Sequence, residues 1–315
     1  MDTNTITGPL NGHLNGNSYP PQNVNTLTVT EPTLPNIPWK DSVIQFDPSW
    51  QPPEIAHIVS EPIPLLERHD MMNIGGGKKA GKSKFVHHML RSVDTDDPYL
   101  TCGIFSTIDP HSLRIIVDTE QKPKKLRKLQ RQYVDLLGLQ TMPNMVWMSL
   151  EETKRPYRMA KLEDAISDMS KTYDISLLTI DHWGDFLPGR NFNDTEAVSD
   201  LEEFIIRIKR TYGVTIISSM HLTKAGDWTK GDLGSMIDEK TEQGLSIKKI
   251  SELCHRSVVI NTNAREKPIP AFTVVREANG LRFEGLYDPN EEKKKKGKRT
   301  IYNPIGGSAP NLPQF

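Results

Sequence analysis

The sequence has only two cysteines among its 315 residues, Cys102 and Cys254, and they form no CxxC pair. A disulfide framework and a zinc site are therefore not expected, and both cysteines are interpreted as ordinary thiols. No stretch approaches the ~18 consecutive apolar residues of a membrane span, and the N-terminus lacks the pattern of a signal peptide. These absences predict a soluble, cytoplasmic protein with no membrane partner.

The chain also lacks an excess of charge of either sign. Its 39 Lys and Arg residues are balanced by 40 Asp and Glu residues. This balance argues against a uniformly basic surface for nucleic acid, so any contact with DNA is expected to be local. The length allows one large domain or two small ones, with enough residues to bury a core.

The two ends of the chain differ in composition from its middle. Residues 1–45 are rich in Asn, Thr, Pro and Gly without helical or strand periodicity, which predicts a flexible N-terminal arm. Residues 289–315 combine the run EEKKKKGKR with a Pro- and Gly-rich end, which predicts a mobile basic tail. A folded domain is expected between them, over residues 46–288.

Within this domain, short apolar runs alternate with amphipathic segments, the pattern of an α/β fold with a mainly parallel sheet covered by helices. The predicted strands of the parallel sheet are Met71–Ile74, Leu113–Asp118, Val146–Ser149, Ser176–Asp181 and Val214–Ser219. Helices are predicted after Lys82, over Pro123–Leu137 and over Glu196–Thr211. Four further strands follow without long helices between them and predict an antiparallel C-terminal extension: Gly244–Lys249, Ser257–Asn261, Ala271–Arg276 and Leu281–Leu286.

A phosphate-binding motif, G-x-x-x-x-G-K-[ST], follows the apolar run MMNI directly. It consists of Gly76, Gly77, Lys78, Lys79, Ala80, Gly81, Lys82 and Ser83. Its glycines permit a loop whose backbone N–H groups surround phosphate oxygens, and the next helix presents its positive N-terminal end to the same anion. Lys82 supplies charge to the β- and γ-phosphates, and the Ser83 hydroxyl binds Mg²⁺. The motif therefore predicts a nucleoside triphosphate site.

Two acidic residues follow predicted strands at one edge of the sheet. Asp181 ends the run LLTID, at the end of a strand where metal-side carboxylates collect. Glu120 stands just after LRIIVD, where a carboxylate can polarise the water that attacks a γ-phosphate. Taken alone, each could be a strand-end cap or a solvated acid, but the phosphate loop upstream favours the metal and base roles.

With these motifs, the sequence resembles the RecA-like ATPases of the hexameric replicative helicase branch, closest to the RepA-like AAA family of plasmids and bacterial mobile elements. The resemblance spans roughly residues 74–287 and rests on GGGKKAGKS, IIVDTEQ, LLTID, IISSMHLTKAG and KGDLGSMIDEKTEQGLSIKK. It implies a RecA-like three-layer P-loop core that binds ATP and Mg²⁺, with Glu120 as the catalytic base. It also maps His221 to the residue that senses the γ-phosphate, while the residue type alone fits a structural histidine equally well.

The resemblance further implies a homo-oligomeric ring, with a hexamer favoured, in which each subunit lends an arginine to its neighbour. Arg265 matches the place of this arginine, and Arg256 is the competing candidate. Replicative ring helicases commonly carry a lysine two residues before the arginine, whereas this chain has Asn263. The departure puts the strength of coupling between subunits in doubt.

Single-stranded DNA is the expected partner, and other replication or mobilisation proteins could dock on the chain ends. RecA-like rings present the loops after the Asp181 strand and after His221 to their central channel, which makes Arg190, Lys224 and Lys230 the candidate DNA contacts. The leading hypothesis is ATP hydrolysis coupled to movement along DNA or to its unwinding. The alternatives are an ATP-gated DNA-binding or adaptor protein without unwinding activity, and a small-molecule P-loop kinase.

Overall fold

The protein is described from a computed structural model that covers residues 55–59, 63–189, 191–222, 231–251, 255–265, 268–277 and 280–290. All of them belong to one compact unit, Pro52–Phe315. The predicted arm over residues 1–45 and the tail from residue 291 onward lie outside the described residues. So do Arg190, Lys224, Lys230 and Cys254.

The strands of the described residues form two sheets. The strands are β1 (Ile55–Val59), β2 (Ile63–Glu67), β3 (Met71–Gly76), β4 (Ile104–Ser106), β5 (Leu113–Asp118), β6 (Met145–Ser149), β7 (Ile175–Asp181), β8 (Thr215–His221), β9 (Gln243–Ser251), β10 (Arg256–Ala264), β11 (Phe272–Glu277) and β12 (Gly280–Leu286). The large sheet has the order β12-β11-β10-β9-β3-β8-β7-β5-β6, and the small sheet has the order β2-β1-β4.

Six α-helices connect these strands in the described ranges. They are α1 (Lys82–Arg91), α2 (Pro98–Thr101), α3 (Pro123–Leu137), α4 (Arg158–Ser170), α5 (Thr195–Tyr212) and α6 (Gly231–Lys240). Helix α3 begins with proline at its first position and ends at Gly138, which adopts the left-handed conformation of a helix cap. In the described part of the chain, no helix combines the length and the apolar character needed to cross a bilayer.

The centre of the large sheet is parallel, and its C-terminal part is antiparallel. Strand β3 pairs in parallel with β8 and β9, and β7 pairs in parallel with β5 and β8. Strands β10, β11 and β12 continue the sheet in antiparallel pairs. The predicted α/β fold with a mainly parallel core and an antiparallel extension is therefore confirmed. Because β3, β5, β7 and β8 run in the same direction, their carboxyl ends meet at one edge.

Side chains of the parallel strands alternate between two apolar cores, one on each face of the large sheet. Met72 and Ile74 pack with α1 and with the small sheet on one face, whereas Met71 faces α4, α5 and α6 on the other. This alternation is the period of two that strands impose on their side chains. Strands buried on both faces explain the continuous apolar runs in the sequence.

Four features differ from the sequence-based prediction, and the shortest of them is α2, a four-residue helix that was not predicted. The small sheet was not predicted, because two of its strands, β1 and β2, have five residues and β4 has three. Helix α4 was not predicted either. Helix α6 begins at Gly231, inside a segment predicted as a loop, and buries Leu233, Met236 and Ile237 at helical spacing. Its two glycines weaken the helical signal, so packing against the sheet decides its conformation.

A buried ion pair ties the start of β5 to the segment after α1. The Arg114 guanidinium, which is fully buried, donates two hydrogen bonds to the Asp94 carboxylate over 2.7 and 2.8 Å. The Tyr133 hydroxyl of α3 donates to the same carboxylate over 2.7 Å. Burial is the main reason why the pKa of Tyr133 is raised, so the hydroxyl keeps its proton. The network fixes the start of β5 against α3 and against the segment after α1.

The start of β12 docks on α1 through His88. The His88 Nε2 atom accepts a hydrogen bond from the Leu281 backbone N–H over 2.6 Å, and Nδ1 lies 2.7 Å from the Leu100 carbonyl oxygen. A Cβ atom at Gly280 would lie 2.6 Å from His88 Nε2, so only glycine allows this approach. Burial, followed by the nearby Arg91 charge, lowers the pKa of His88 to about 3. The imidazole is therefore neutral at pH 7.

Candidate nucleotide site

The phosphate loop joins the end of β3 to the start of α1. Gly76 is the last residue of β3, and a Cβ atom there would lie 3.1 Å from the Ile247 carbonyl oxygen. Gly81 precedes α1 with φ 116°, a conformation that side chains rarely allow. The Ala80 N–H donates to the Gly77 carbonyl over 3.1 Å and closes the turn. Gly76 and Gly81 thus stand where the backbone requires glycine, whereas a side chain at Gly77 would meet no neighbouring atom.

Lys82, the first residue of α1, turns its side chain back across the loop. Its Nζ atom donates to the Gly76 carbonyl over 3.0 Å and lies 3.2 Å from His221 Nδ1. Burial lowers the pKa of Lys82, while the carboxylates of Asp181 and Glu120 act in the opposite direction. The ammonium group is therefore attracted by the negative charges of both predicted acids, Asp181 and Glu120, and it lies where the motif predicts phosphate oxygens.

Asp181 and Ser83 form the oxygen-donor pair of the site. The Ser83 hydroxyl lies 3.4 Å from Asp181 Oδ2, and the Ser219 hydroxyl of β8 donates to Asp181 Oδ1 over 2.6 Å. Hydroxyl and carboxylate oxygens are the donors that Mg²⁺ prefers, and one or two protein ligands suffice where substrate phosphates complete the octahedron. The pair therefore fits a magnesium ion that arrives with a triphosphate.

Glu120 is held in place by the turn that follows β5. The Asp118 carboxylate accepts hydrogen bonds from the backbone N–H groups of Glu120 and Gln121 over 2.9 and 2.7 Å. Burial is the main cause of the raised pKa of Asp118. The exposed Glu120 carboxylate lies close enough to influence the pKa of both Lys82 and His221. The two predicted acids thus converge beside the phosphate loop.

Two histidines stand side by side between Lys82 and the chain after β7. The ring centroids of His182 and His221 are 5.1 Å apart, and His182 is a non-glycine residue with φ 81°. Burial lowers the pKa of His221, and the charges of Lys82 and His182 lower it further. A neutral imidazole next to Lys82 can accept or donate one hydrogen bond without adding repulsion to the cation.

The comparison with known protein families agrees with this geometry. A family model described as an AAA domain matches residues 35–227, more than half of the chain. The chain belongs to the AAA domain family. AAA-type domains of this kind are P-loop ATPases found in RecA-like helicases. A search of curated proteins gave no match to the chain.

Of the two arginines predicted for this AAA-type ATPase, Arg265 lies away from the phosphate loop and Arg256 is held by an ion pair. The Arg265 N–H donates to Glu242 O, and the Glu242 N–H donates to Met71 O at the start of β3, whereas the loop follows the end of β3. Five strand steps of ~3.3 Å separate the two positions by roughly 16 Å. Arg256 lies at the loop edge but its guanidinium pairs with Glu284 over 2.5 Å. Neither predicted arginine contacts the loop of its own subunit.

A third arginine contacts the loop and was not predicted. The Arg276 guanidinium of β11 donates to the Lys79 carbonyl oxygen over 2.6 Å. The two residues are 197 positions apart, so no local sequence pattern joins them. Ser219 was also missed, although two adjacent serines in the apolar strand IISSMH were a signal of polar partners.

Both cysteines were predicted to be ordinary thiols. Cys102 is buried, and burial raises its pKa to about 12, so the thiolate is not accessible at neutral pH. Among the residues that the structure describes, no three His, Cys, Asp or Glu side chains form a metal-binding group.

Proposed function

We propose that the protein is a RepA-like ATPase that hydrolyses ATP with Mg²⁺. ATP hydrolysis is coupled to binding, translocation or unwinding of DNA. The process served is replication or mobilisation of a plasmid or mobile element. The observation that carries the ATPase role is the convergence of Lys82, Ser83, Asp181 and Glu120 at one edge of the sheet. The membership in the AAA domain family supports the same activity.

In this proposal, each group of the site has one task. The loop N–H groups and Lys82 bind the phosphates, and the ammonium neutralises charge that develops on the γ-phosphoryl group. Ser83 and Asp181 would hold Mg²⁺, which when bound would supply a Lewis acid that polarises phosphoryl oxygens. Glu120 orients the attacking water and accepts its proton. His221, next to Lys82, hydrogen-bonds to the γ-phosphate and reports whether it is present.

The proposed ring is supported by the position of Arg265 in its own subunit. At roughly 16 Å of strand from the loop, its guanidinium cannot stabilise the phosphates bound by the same chain. In a homo-oligomer, however, the sheet edge that carries Arg265 in one subunit can face the phosphate loop of the next subunit. An arginine supplied in this way accelerates phosphoryl transfer by about 10³–10⁵-fold.

Replacement of Lys82 tests the ATPase role. We expect Lys82→Ala to lower kcat/KM for ATP by about 100-fold or more, because charge stabilisation in the transition state is lost. Lys124→Ala, on the exposed face of α3, is the matched control and should hydrolyse ATP at the wild-type rate. Equal ATP turnover by wild type and Lys82→Ala would end the proposal.

Three further measurements separate the proposed role from its alternatives. Mass measurement with a nonhydrolysable ATP analogue and single-stranded DNA should give an oligomer, with six subunits expected. Strand separation on a forked duplex should require ATP hydrolysis, whereas an ATP-gated DNA-binding or adaptor protein would bind the fork without opening it. Transfer of the γ-phosphate to a small-molecule acceptor rather than to water would identify a kinase.

A further inference from the structure

Helix α6 spans the sheet from the edge that carries the phosphate loop to the opposite edge. Its ten residues extend over about 15 Å, which is close to the strand length of roughly 16 Å between the loop and Arg265. Its first turn is hydrogen-bonded to the segment of Phe192 and Asn193, and its last turn is hydrogen-bonded to the segment of Arg265. The helix therefore contacts Arg265 directly, and it connects to the phosphate loop only through the side chains between Phe192 and Lys82.

At the phosphate edge, α6 begins against Phe192 and Asn193. The Leu233 N–H donates to the Phe192 carbonyl over 3.0 Å, and the Asp232 N–H donates to Asn193 Oδ1 over 3.3 Å. Gly231 has φ 64°, and a Cβ atom there would lie 2.9 Å from the Phe192 carbonyl oxygen. The junction is thus closely packed and requires glycine.

The Phe192 ring connects this junction to the nucleotide site. Its centroid lies 6.2 Å from the His182 ring, which lies 5.1 Å from the His221 ring, and His221 Nδ1 lies 3.2 Å from Lys82 Nζ. Both the His182 and Phe192 rings pack on Gly184, where a Cβ atom would lie 2.5 Å from His182 Cε1. A shift of His221 therefore meets a closely packed ring, not open space.

At the opposite edge, the last turn of α6 holds the segment of Arg265. The Asn263 side-chain amide donates to the Asp238 carbonyl over 2.7 Å, and the Arg265 guanidinium donates to the Glu239 carbonyl over 2.5 Å. These carbonyls are among those that the end of a helix leaves without a partner in the helix. The direction of the Arg265 side chain is therefore set by the C-terminal end of α6.

We infer that α6 is the coupling element that links the γ-phosphate sensor of one subunit, through His182 and Phe192, to the arginine that this subunit presents to its neighbour. Phe192 and Asn263 are positioning residues at the two ends of the element. This inference rests on the proposed function. It adds the path by which one site would regulate the next, and it gives Asn263 a role at the end of α6.

Hydrogen exchange of the whole protein, with and without a nonhydrolysable ATP analogue and Mg²⁺, tests the inference. In the wild type, we expect the analogue to slow amide exchange about tenfold both in α6 and in residues 260–265, since coupling between sites commonly amounts to 5–150-fold. In Phe192→Ala, the analogue should still bind, but both effects should be lost. Phe192→Tyr, which keeps the ring, should restore them.

Asn263→Asp tests the other end of α6, because it removes the amide donor at nearly unchanged volume. Here the analogue should still slow exchange in α6 but no longer in residues 260–265. Ser235→Ala, an exposed position on the same helix, is the matched control and should behave as the wild type. The inference would be overturned if Phe192→Ala and Asn263→Asp showed the same slowing of amide exchange as the wild type. It would also be overturned if the bound analogue left amide exchange in α6 of the wild type unchanged. Failure of the wild type to bind the analogue would instead contradict the proposed function.

Discussion

Ser219 offers a sharp test of the metal-binding side of the site. Ser219 is 1% exposed, and its hydroxyl donates to Asp181 Oδ1 over 2.6 Å, which directs the other oxygen, Oδ2, toward Ser83. A hydrogen bond to a charged group contributes about 1.5–3 kcal/mol. Residues that orient a metal ligand typically change metal affinity by about 10–100-fold when removed. We therefore expect Ser219→Ala to raise the Mg²⁺ concentration for half-maximal ATPase activity by a factor in this range.

The neighbouring serine of β8 supplies the control for this experiment. Ser218 is fully buried, but its hydroxyl lies 3.3 Å from the Met72 carbonyl and 3.2 Å from Asn73 Oδ1, on the other side of the strand. Ser218→Ala should therefore lower the free energy of unfolding by about 1 kcal/mol without changing the Mg²⁺ dependence. Titration of Mg²⁺ at saturating ATP compares the two variants. Equal half-maximal Mg²⁺ concentrations for both variants would refute the proposed role of Ser219.

Three further predictions concern stability and packing. Arg114→Leu should lower the free energy of unfolding in urea by about 3–5 kcal/mol because it strands the buried Asp94 carboxylate, and a smaller loss in the double variant with Asp94→Leu would support this cause. The pKa of His88 is lowered in the folded protein, so below pH 6.5 the unfolded chain binds a proton that the folded protein does not. As the pH falls from 6.5 toward 3, the free energy of unfolding should therefore decrease by up to about 1.4 kcal/mol per pH unit. In urea titrations between pH 4 and 7, His88→Gln should weaken this dependence, and an unchanged slope would contradict it. Gly184→Ala should slow ATP hydrolysis about tenfold, because the added methyl group displaces the His182 and Phe192 rings that pack on Gly184. Gly189→Ala is the control, since position 189 has open space around it, and it should hydrolyse ATP at the wild-type rate. Equal rates for the two variants would refute the prediction.

The parallel core could be predicted from sequence because its signals are local. Apolar runs ended by charged or polar residues marked the strands, and Leu113–Asp118 and Pro123–Leu137 coincide with the predicted bounds. Parallel pairing then brings the residues after these strands to one edge, which is why Glu120 and Asp181 could be predicted as neighbours of the phosphate loop. Such reasoning needs only the strand directions, not the side-chain contacts.

Contacts between distant segments could not be predicted in the same way. Arg276 reaches Lys79 across 197 positions, and its sequence context, VVRE, is that of an ordinary strand end. Helix α6 has a weak helical signal, and its ends are defined by Phe192 and by Asn263, which belong to other segments. The information that fixes these features lies in the three-dimensional packing rather than in any window of the sequence.

In the proposed ring, the position of Arg265 explains why a rigid element would be needed between the two edges of the sheet. A γ-phosphate at the loop lies too far from Arg265, roughly 16 Å along β3, for a direct electrostatic effect, because the Debye length at physiological salt is only about 8 Å. We expect a helix that is hydrogen-bonded at both ends to move as one body, because its backbone hydrogen bonds resist local deformation. An asparagine at position 263 keeps the C-terminal end of this helix attached without a second positive charge beside Arg265. In the proposed ring, the chain could therefore lack the lysine that replicative ring helicases commonly carry and still connect neighbouring sites.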